Sequence, residues 1–198
     1  MRDNMSKGLL FTLAVASCLL LAQPLMAQEG IKGNLVNVGW LEKNLKSADV
    51  VILDASPSQI YAAKHIPGAI SYDIFTYGVQ ELPVAEIEKR YQSWGISKGK
   101  KVVMYDQGGT YMATRLLFSL DYYGFPTKDL FVLDGGLAKW QEAGLPITNE
   151  PTPAPKKGSF TIKNLNEDTK ADLPEFLTAS GDSRTTFLAD SATSQMLS

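Results

Sequence analysis

The chain has 198 residues, a formal net charge of −2, one cysteine and one histidine. An acidic chain without a basic run or basic face excludes a nucleic-acid binder. One cysteine and one histidine exclude both a disulfide framework and a zinc site of the usual His/Cys kind, and no cofactor is expected.

Residues 1–27 read as an export signal. Arg2 and Lys7 give a basic start, Gly8 to Ala22 form an apolar run too short for a comfortable membrane span, and "QPLMA" ends at Ala27, a small residue suited to cleavage. The expected location is therefore outside the cytoplasm, periplasmic or secreted. A second export reading uses "VASC", which is similar to a lipobox: a lipidated Cys18 would put the chain at a membrane surface, and without it no membrane association is expected. Because Cys18 lies in the leader, the remaining chain has no thiol nucleophile.

"NVGWLEKNLKSADVVILDAS" predicts a short helix led by Trp40 and Leu41, then an apolar strand from Val50 to Leu53 ending on Asp54. "SPSQIYAAKHIPGAISYD" predicts a small helix, a turn at Pro67 and Gly68, and a short strand around Ile70. "PVAEIEKRYQSWG" places Val84, Ile87, Tyr91 and Trp94 on one helical face and stops at Gly95. A strand from Lys101 to Tyr105 follows, then a six-residue loop and a helix with Ala113, Leu116, Leu117 and Leu120 on one stripe up to Gly124. "LFVLD" is the last strand, and "GGLAKWQEAG" a short helix closed by Gly144. Strands alternate with helices and show no internal alternation, so they are buried on both faces: an α/β fold with a parallel sheet between helices.

From Pro146 to Ser159 the chain is proline-rich, polar and aperiodic, and reads as an extended linker. Beyond it, Phe176 to Met196 aligns without a gap on Trp40 to Ile60: Phe176 matches Trp40, Leu177 matches Leu41, Asp190 matches Asp54, and Ser194-Gln195 matches Ser58-Gln59. The expected organisation is a leader at 1–27, a cysteine-free domain at 28–148, a linker at 149–171, and at 172–198 the start of a truncated second, similar domain.

Three segments, "VILDAS" leading to "HIPGAI", the "VVMYD" loop, and "LDGGLAKWQEAGLPI", resemble in order and spacing the rhodanese family of sulfurtransferases over Asn34 to Thr148. The resemblance is to the N-terminal half of tandem thiosulfate or 3-mercaptopyruvate sulfurtransferases, in which a linker joins two domains and only the C-terminal one is catalytic. It implies a rhodanese-like sheet flanked by helices on both faces. It also implies a partner in the C-terminal catalytic domain, small anionic sulfur compounds as ligands, and a parent reaction that moves sulfane sulfur from thiosulfate or 3-mercaptopyruvate to a thiol or cyanide. In catalytic members the residue after the strand is a cysteine whose persulfide is held by loop N–H groups and a helix N-terminus, dipoles that favour an anion and depress a thiol pKa.

Here Asp106 takes that position and Gln107, Gly108, Gly109, Thr110 and Tyr111 supply the loop. A carboxylate cannot carry a sulfane sulfur. Asp106 is therefore expected to act as a permanent anion that accepts the loop N–H groups and caps the helix, the other reading being a general acid or base. No catalytic residue is assigned. His65 is either a proton shuttle or an imidazole hydrogen-bonded to backbone. Gly108 and Gly109 either cradle a phosphate or serve a tight turn. Arg115 either attracts an anion or forms a contact at a domain interface, and Trp140 is expected in the core. The rival to a sulfurtransferase half is a stand-alone, cysteine-free rhodanese-fold module that binds a partner or an anion.

Overall fold

A computed structural model describes residues 30–182. The leader with Cys18, and the Asp190 and Ser194-Gln195 end of the repeat, lie outside the described residues.

The chain begins with a two-stranded antiparallel hairpin, β1 (Ile31–Lys32) and β2 (Leu35–Val36). Helix α1 (Val38–Asn44) starts at Asn37, whose side chain accepts the Trp40 N–H. Strand β3 (Val50–Asp54), helix α2 (Ser58–Ala63) and strand β4 (Ile70–Ser71) follow. Helix α3 (Ile74–Tyr77) is N-capped by Asp73, which also accepts the Ser58 N–H and hydroxyl. Next come α4 (Val84–Ser93), β5 (Lys101–Tyr105), α5 (Met112–Tyr122), a 3-10 turn (Thr127–Asp129), β6 (Leu130–Leu133) and α6 (Gly136–Glu142).

These strands form one six-stranded sheet in the order β1-β2-β6-β5-β3-β4, parallel except for the β1–β2 hairpin. The predicted α/β sheet flanked by helices is therefore present, with the antiparallel hairpin as an addition at its edge. Side chains along the central strands alternate between two apolar layers. Val51, Leu53, Val102 and Met104 face a core closed by α4 and α5 through Ile87, Tyr91, Leu116 and Leu120. Ile52, Val103 and Tyr105 face a second core closed by α1 and α6 through Trp40, Leu41, Leu137 and Trp140. Burial on both faces is what the unbroken apolar strands require, each fully buried Leu or Ile contributing about 1.5–3 kcal/mol.

After α6 the chain bridges back antiparallel to His65 through Thr148, whose N–H donates to the His65 carbonyl at 2.9 Å. Residues 149–157 have no regular structure. The rest of that segment lies along the domain. Gly158 N–H donates to the Gln92 carbonyl at 2.7 Å, Phe160 N–H to Ile96 at 3.1 Å, and Asn166 N–H to Tyr122 at 2.7 Å. Ile162 N–H donates to the Glu88 carboxylate at 2.8 Å. Phe160 is buried with its ring 5.0 Å from that of Phe125, and Ile162 and Leu165 pack on the same core. A last helix, α7 (Leu173–Ser180), opens with a reciprocal Asp172–Glu175 capping box and leaves Leu173 and Leu177 exposed. Among the described residues no helix is long and apolar enough to cross a membrane.

Candidate functional site

Asp106 leaves the carboxyl end of the central strand β5 and is only 4% exposed. Its Oδ1 accepts the Gly108 N–H at 2.8 Å and its Oδ2 accepts the Ala113 N–H, in the first turn of α5, at 3.0 Å. The carboxylate thus occupies the ring of backbone donors formed where strand, loop and helix meet. The loop is pressed against the turn before α6. Gly108 has φ +100°, and a Cβ there would stand 2.5 Å from the Gly135 carbonyl oxygen; one on Gly136 would stand 2.5 Å from the Asp106 carbonyl oxygen. That close approach of two backbones is why glycine stands at both places. It is tied by Leu137 N–H to Asp106 O at 2.8 Å and Ala138 N–H to Gln107 O at 3.1 Å, so the N-terminus of α6 is spent on the loop's own carbonyls.

Gln107 reaches sideways, its Nε2 donating to Ser56 Oγ at 3.0 Å. Gly109, Thr110 and Tyr111 are exposed, and a small cavity of about 150 Å³ lies between this loop and the end of β6, lined by Asp106, Gly109, Thr110 and Asp134 among others. The phosphate reading of Gly108 has no support here, because the Gly108 N–H is already given to Asp106.

Arg115 turns to the other side. Its Nε donates to the Gly78 carbonyl at 2.8 Å, its Nη2 lies 3.6 Å from Glu81, and its guanidinium stacks over Phe118 at 4.7 Å. The side chain is engaged within the domain, beside an exposed apolar group formed by Phe75, Val79 and Tyr111. Trp140 is fully buried and donates its indole N–H to the Pro146 carbonyl at 2.8 Å, which makes it core.

His65 is fully buried and stacked on Tyr61 at 3.9 Å. Its Nδ1 lies 2.8 Å from the Tyr61 carbonyl, so that nitrogen carries the proton; this is the backbone-bonded alternative of the two. Next to it is a group that sequence reasoning did not single out. Asp54, at the end of β3, is fully buried; its Oδ1 accepts the Ser56 N–H at 2.8 Å, whereas its Oδ2, like His65 Nε2, has no hydrogen-bond partner among the described residues. Loss of hydration pushes the Asp54 carboxyl above its ordinary value, partly countered by Ser56. The register Asp54↔Tyr105 sets the Tyr105 phenol close by, where it accepts the Ile66 N–H at 3.0 Å; burial, then the charge of Asp54, push that phenol well up. An acid directly after an apolar strand was the available signal.

No side chain in this arrangement is a nucleophile able to accept sulfur, and among the described residues no three His, Cys, Asp or Glu side chains gather as a metal site. What the loop can do is hold one anion, and Asp106 supplies it.

The rhodanese-like domain family model matches residues 37–143, more than half of the chain. A probable 3-mercaptopyruvate sulfurtransferase of Pseudomonas aeruginosa is 33% identical over 134 residues, 58% of this chain and 47% of that protein. Thiosulfate/3-mercaptopyruvate sulfurtransferase 2 of Arabidopsis thaliana is 31% identical over 129 residues, 57% of this chain and 37% of that one. Each match therefore spans less than half the length of the curated relative. Among solved structures, SseA from Escherichia coli, described with 3-mercaptopyruvate sulfotransferases and the rhodanese fold, superposes with a TM-score of 0.65 at 25% identity, covering 75% of this chain and 62% of that one.

Proposed function

The chain belongs to the rhodanese-like domain family, and from that premise we propose that it is the non-catalytic, N-terminal-type domain of a sulfurtransferase. In this reading a cysteine-bearing rhodanese domain is its partner and moves sulfane sulfur from thiosulfate or 3-mercaptopyruvate to a thiol or cyanide. The observation that carries the reading is the occupied cradle: both oxygens of Asp106 are taken by the Gly108 and Ala113 N–H groups, where the resemblance places a persulfide. A carboxylate held there supplies the anion that the donors demand and leaves no atom able to accept sulfur. The exposed Phe75, Val79 and Tyr111, close to the loop, offer apolar surface to the partner domain.

The test is Asp106→Cys. Backbone dipoles that favour an anion should lower the introduced thiol below the free value of about 8.5. The rate at which iodoacetamide alkylates residue 106, followed by peptide mapping, is expected to reach half its plateau below about pH 8.5, and incubation with thiosulfate is expected to add one sulfur atom at that peptide as the thiolate attacks the outer sulfur and sulfite leaves. The parent chain should gain no sulfur there. A thiol at 106 whose pKa, read from the pH dependence of its own alkylation rate, is not below about 8.5 shows that the loop is no anion cradle, and the proposal falls.

A further inference from the structure

At the opposite end of the sheet from Asp106 a groove of about 620 Å³ opens between the domain and residues 159–166. Lys98 stands three residues before β5, and Thr127 lies in the turn that leads into β6, so the groove sits at the amino ends of the two central strands. Its size falls within the roughly 300–1,000 Å³ of small-molecule sites.

Its chemistry is not that of a random surface furrow. Its accessible apolar lining is Pro126 and Leu165, both half-buried, set over the buried rings of Phe125 and Phe160. Lys98 and Lys163 line it, both exposed, and neither belongs to the ion pairs of the described residues, which join Arg115 to Glu81 and Lys139 to Asp134. One acid, Asp121, shares the lining, but both its oxygens are engaged by the walls: Oδ1 accepts the Thr127 hydroxyl at 2.5 Å and Oδ2 accepts the Asn166 amide at 3.3 Å. Those two bonds hold the segment against the turn; their donors are neutral, so Asp121 keeps its charge, and the two lysines against one acid leave the groove lining with a net charge of about +1.

We propose that this groove binds a small organic anion, a compound with a flat apolar body and a carboxylate- or phosphate-type head. The body lies on Pro126 and Leu165 and the head between Lys98 and Lys163. The site is independent of the Asp106 loop and of the sulfurtransferase reading. It is formed only because residues 159–166 lie along the domain, so it depends on a segment whose composition reads as a connector.

The experiment is a titration of the full chain with phenyl phosphate, followed by backbone amide shifts. Saturable shifts are expected at Lys98, Thr127, Lys163 and Asn164, with Gly108 and Ala113 unmoved. Inorganic phosphate and benzyl alcohol, each carrying half of the required chemistry, are expected to bind at least about tenfold more weakly, a difference of about 1.4 kcal/mol. The double variant Lys98→Ala/Lys163→Ala, and separately Lys163→Gln, should weaken phenyl phosphate without shifting the melting temperature, since both side chains are exposed. Absence of saturable shifts at the groove overturns the proposal. So does inorganic phosphate binding as well as phenyl phosphate, and so do lysine variants that bind like the parent.

Discussion

Asp106→Asn tests whether the cradle depends on a carboxylate or merely on a polar side chain. The substitution keeps shape and volume but leaves one oxygen where two are needed. If Oδ1 keeps the Gly108 N–H, the new amide NH2 faces the Ala113 N–H, donor against donor, and Ala113 is buried. One charge-assisted bond is lost and one buried N–H is left unsatisfied, a loss of about 2–3 kcal/mol. For a domain of this size each kcal/mol moves the midpoint by about 2–4 °C, so the variant should melt about 4–12 °C below the parent. Asp106→Ala removes both acceptors and should fall at least as far. Circular dichroism melts at pH 7 give the midpoint, and amide exchange at Gly108 and Ala113 should speed up ahead of the rest of the core. A variant melting within about 1 °C of the parent, with both amides still protected, refutes the argument, because a midpoint that insensitive leaves well under 1 kcal/mol for the two bonds together.

Asp54→Asn should be read as a function of pH. The folded-state carboxyl is raised above its ordinary value, so its contribution is fully present below that value and is lost as pH climbs through the folded pKa. Asparagine does not titrate, so the melting temperature of the variant relative to the parent should rise from pH 4 to pH 7; a constant or falling difference contradicts the burial argument. Phe160→Ala removes a ring packed on Phe125 and should cost about 3–5 kcal/mol. An unchanged denaturation midpoint would mean that residues 158–166 are a connector and nothing more. Export predicts a mature N-terminus at or near Gln28 by intact mass; a retained Met1 on the purified protein argues against it, and a lipid-modified Cys18 selects the lipobox alternative.

The central strands and long helices were legible because their signals are local. Val50 to Leu53 and Val102 to Tyr105 are continuous apolar runs, and α4 and α5 carry apolar residues at helical spacing ended by Gly95 and Gly124. The β1–β2 hairpin has two residues in each strand, too few to show any period, and α3 is a single turn held by Asp73 and by contacts from distant residues. The Asp106 cradle was legible for another reason. A loop at the carboxyl end of a buried parallel strand, running into a helix N-terminus, concentrates unpaired N–H groups wherever it occurs, so an acid there has an assigned task before any contact is seen.

Asp54, Arg115 and Phe160 mark where local signals stop. The surroundings of Asp54 follow from the register that pairs it with Tyr105, which one strand does not report. Arg115 was placed correctly on the first turns of α5, but what it binds depends on the Gly78 carbonyl at the end of α3, an element too short to be read. Phe160 is the instructive case. Prolines from Pro146 to Pro155 describe how that stretch lacks internal structure, and residues 149–157 do lack it. The next residues, "SFTIKNLN", alternate apolar and polar at Phe160 and Ile162 before Leu165, the pattern of a segment with one face on a core. Composition answers whether a segment can fold by itself; periodicity answers whether it has a face to bury. Phe160 docks because Phe125 and Tyr91 already form the surface it completes, so its contribution exists only after the sheet and its helices have assembled.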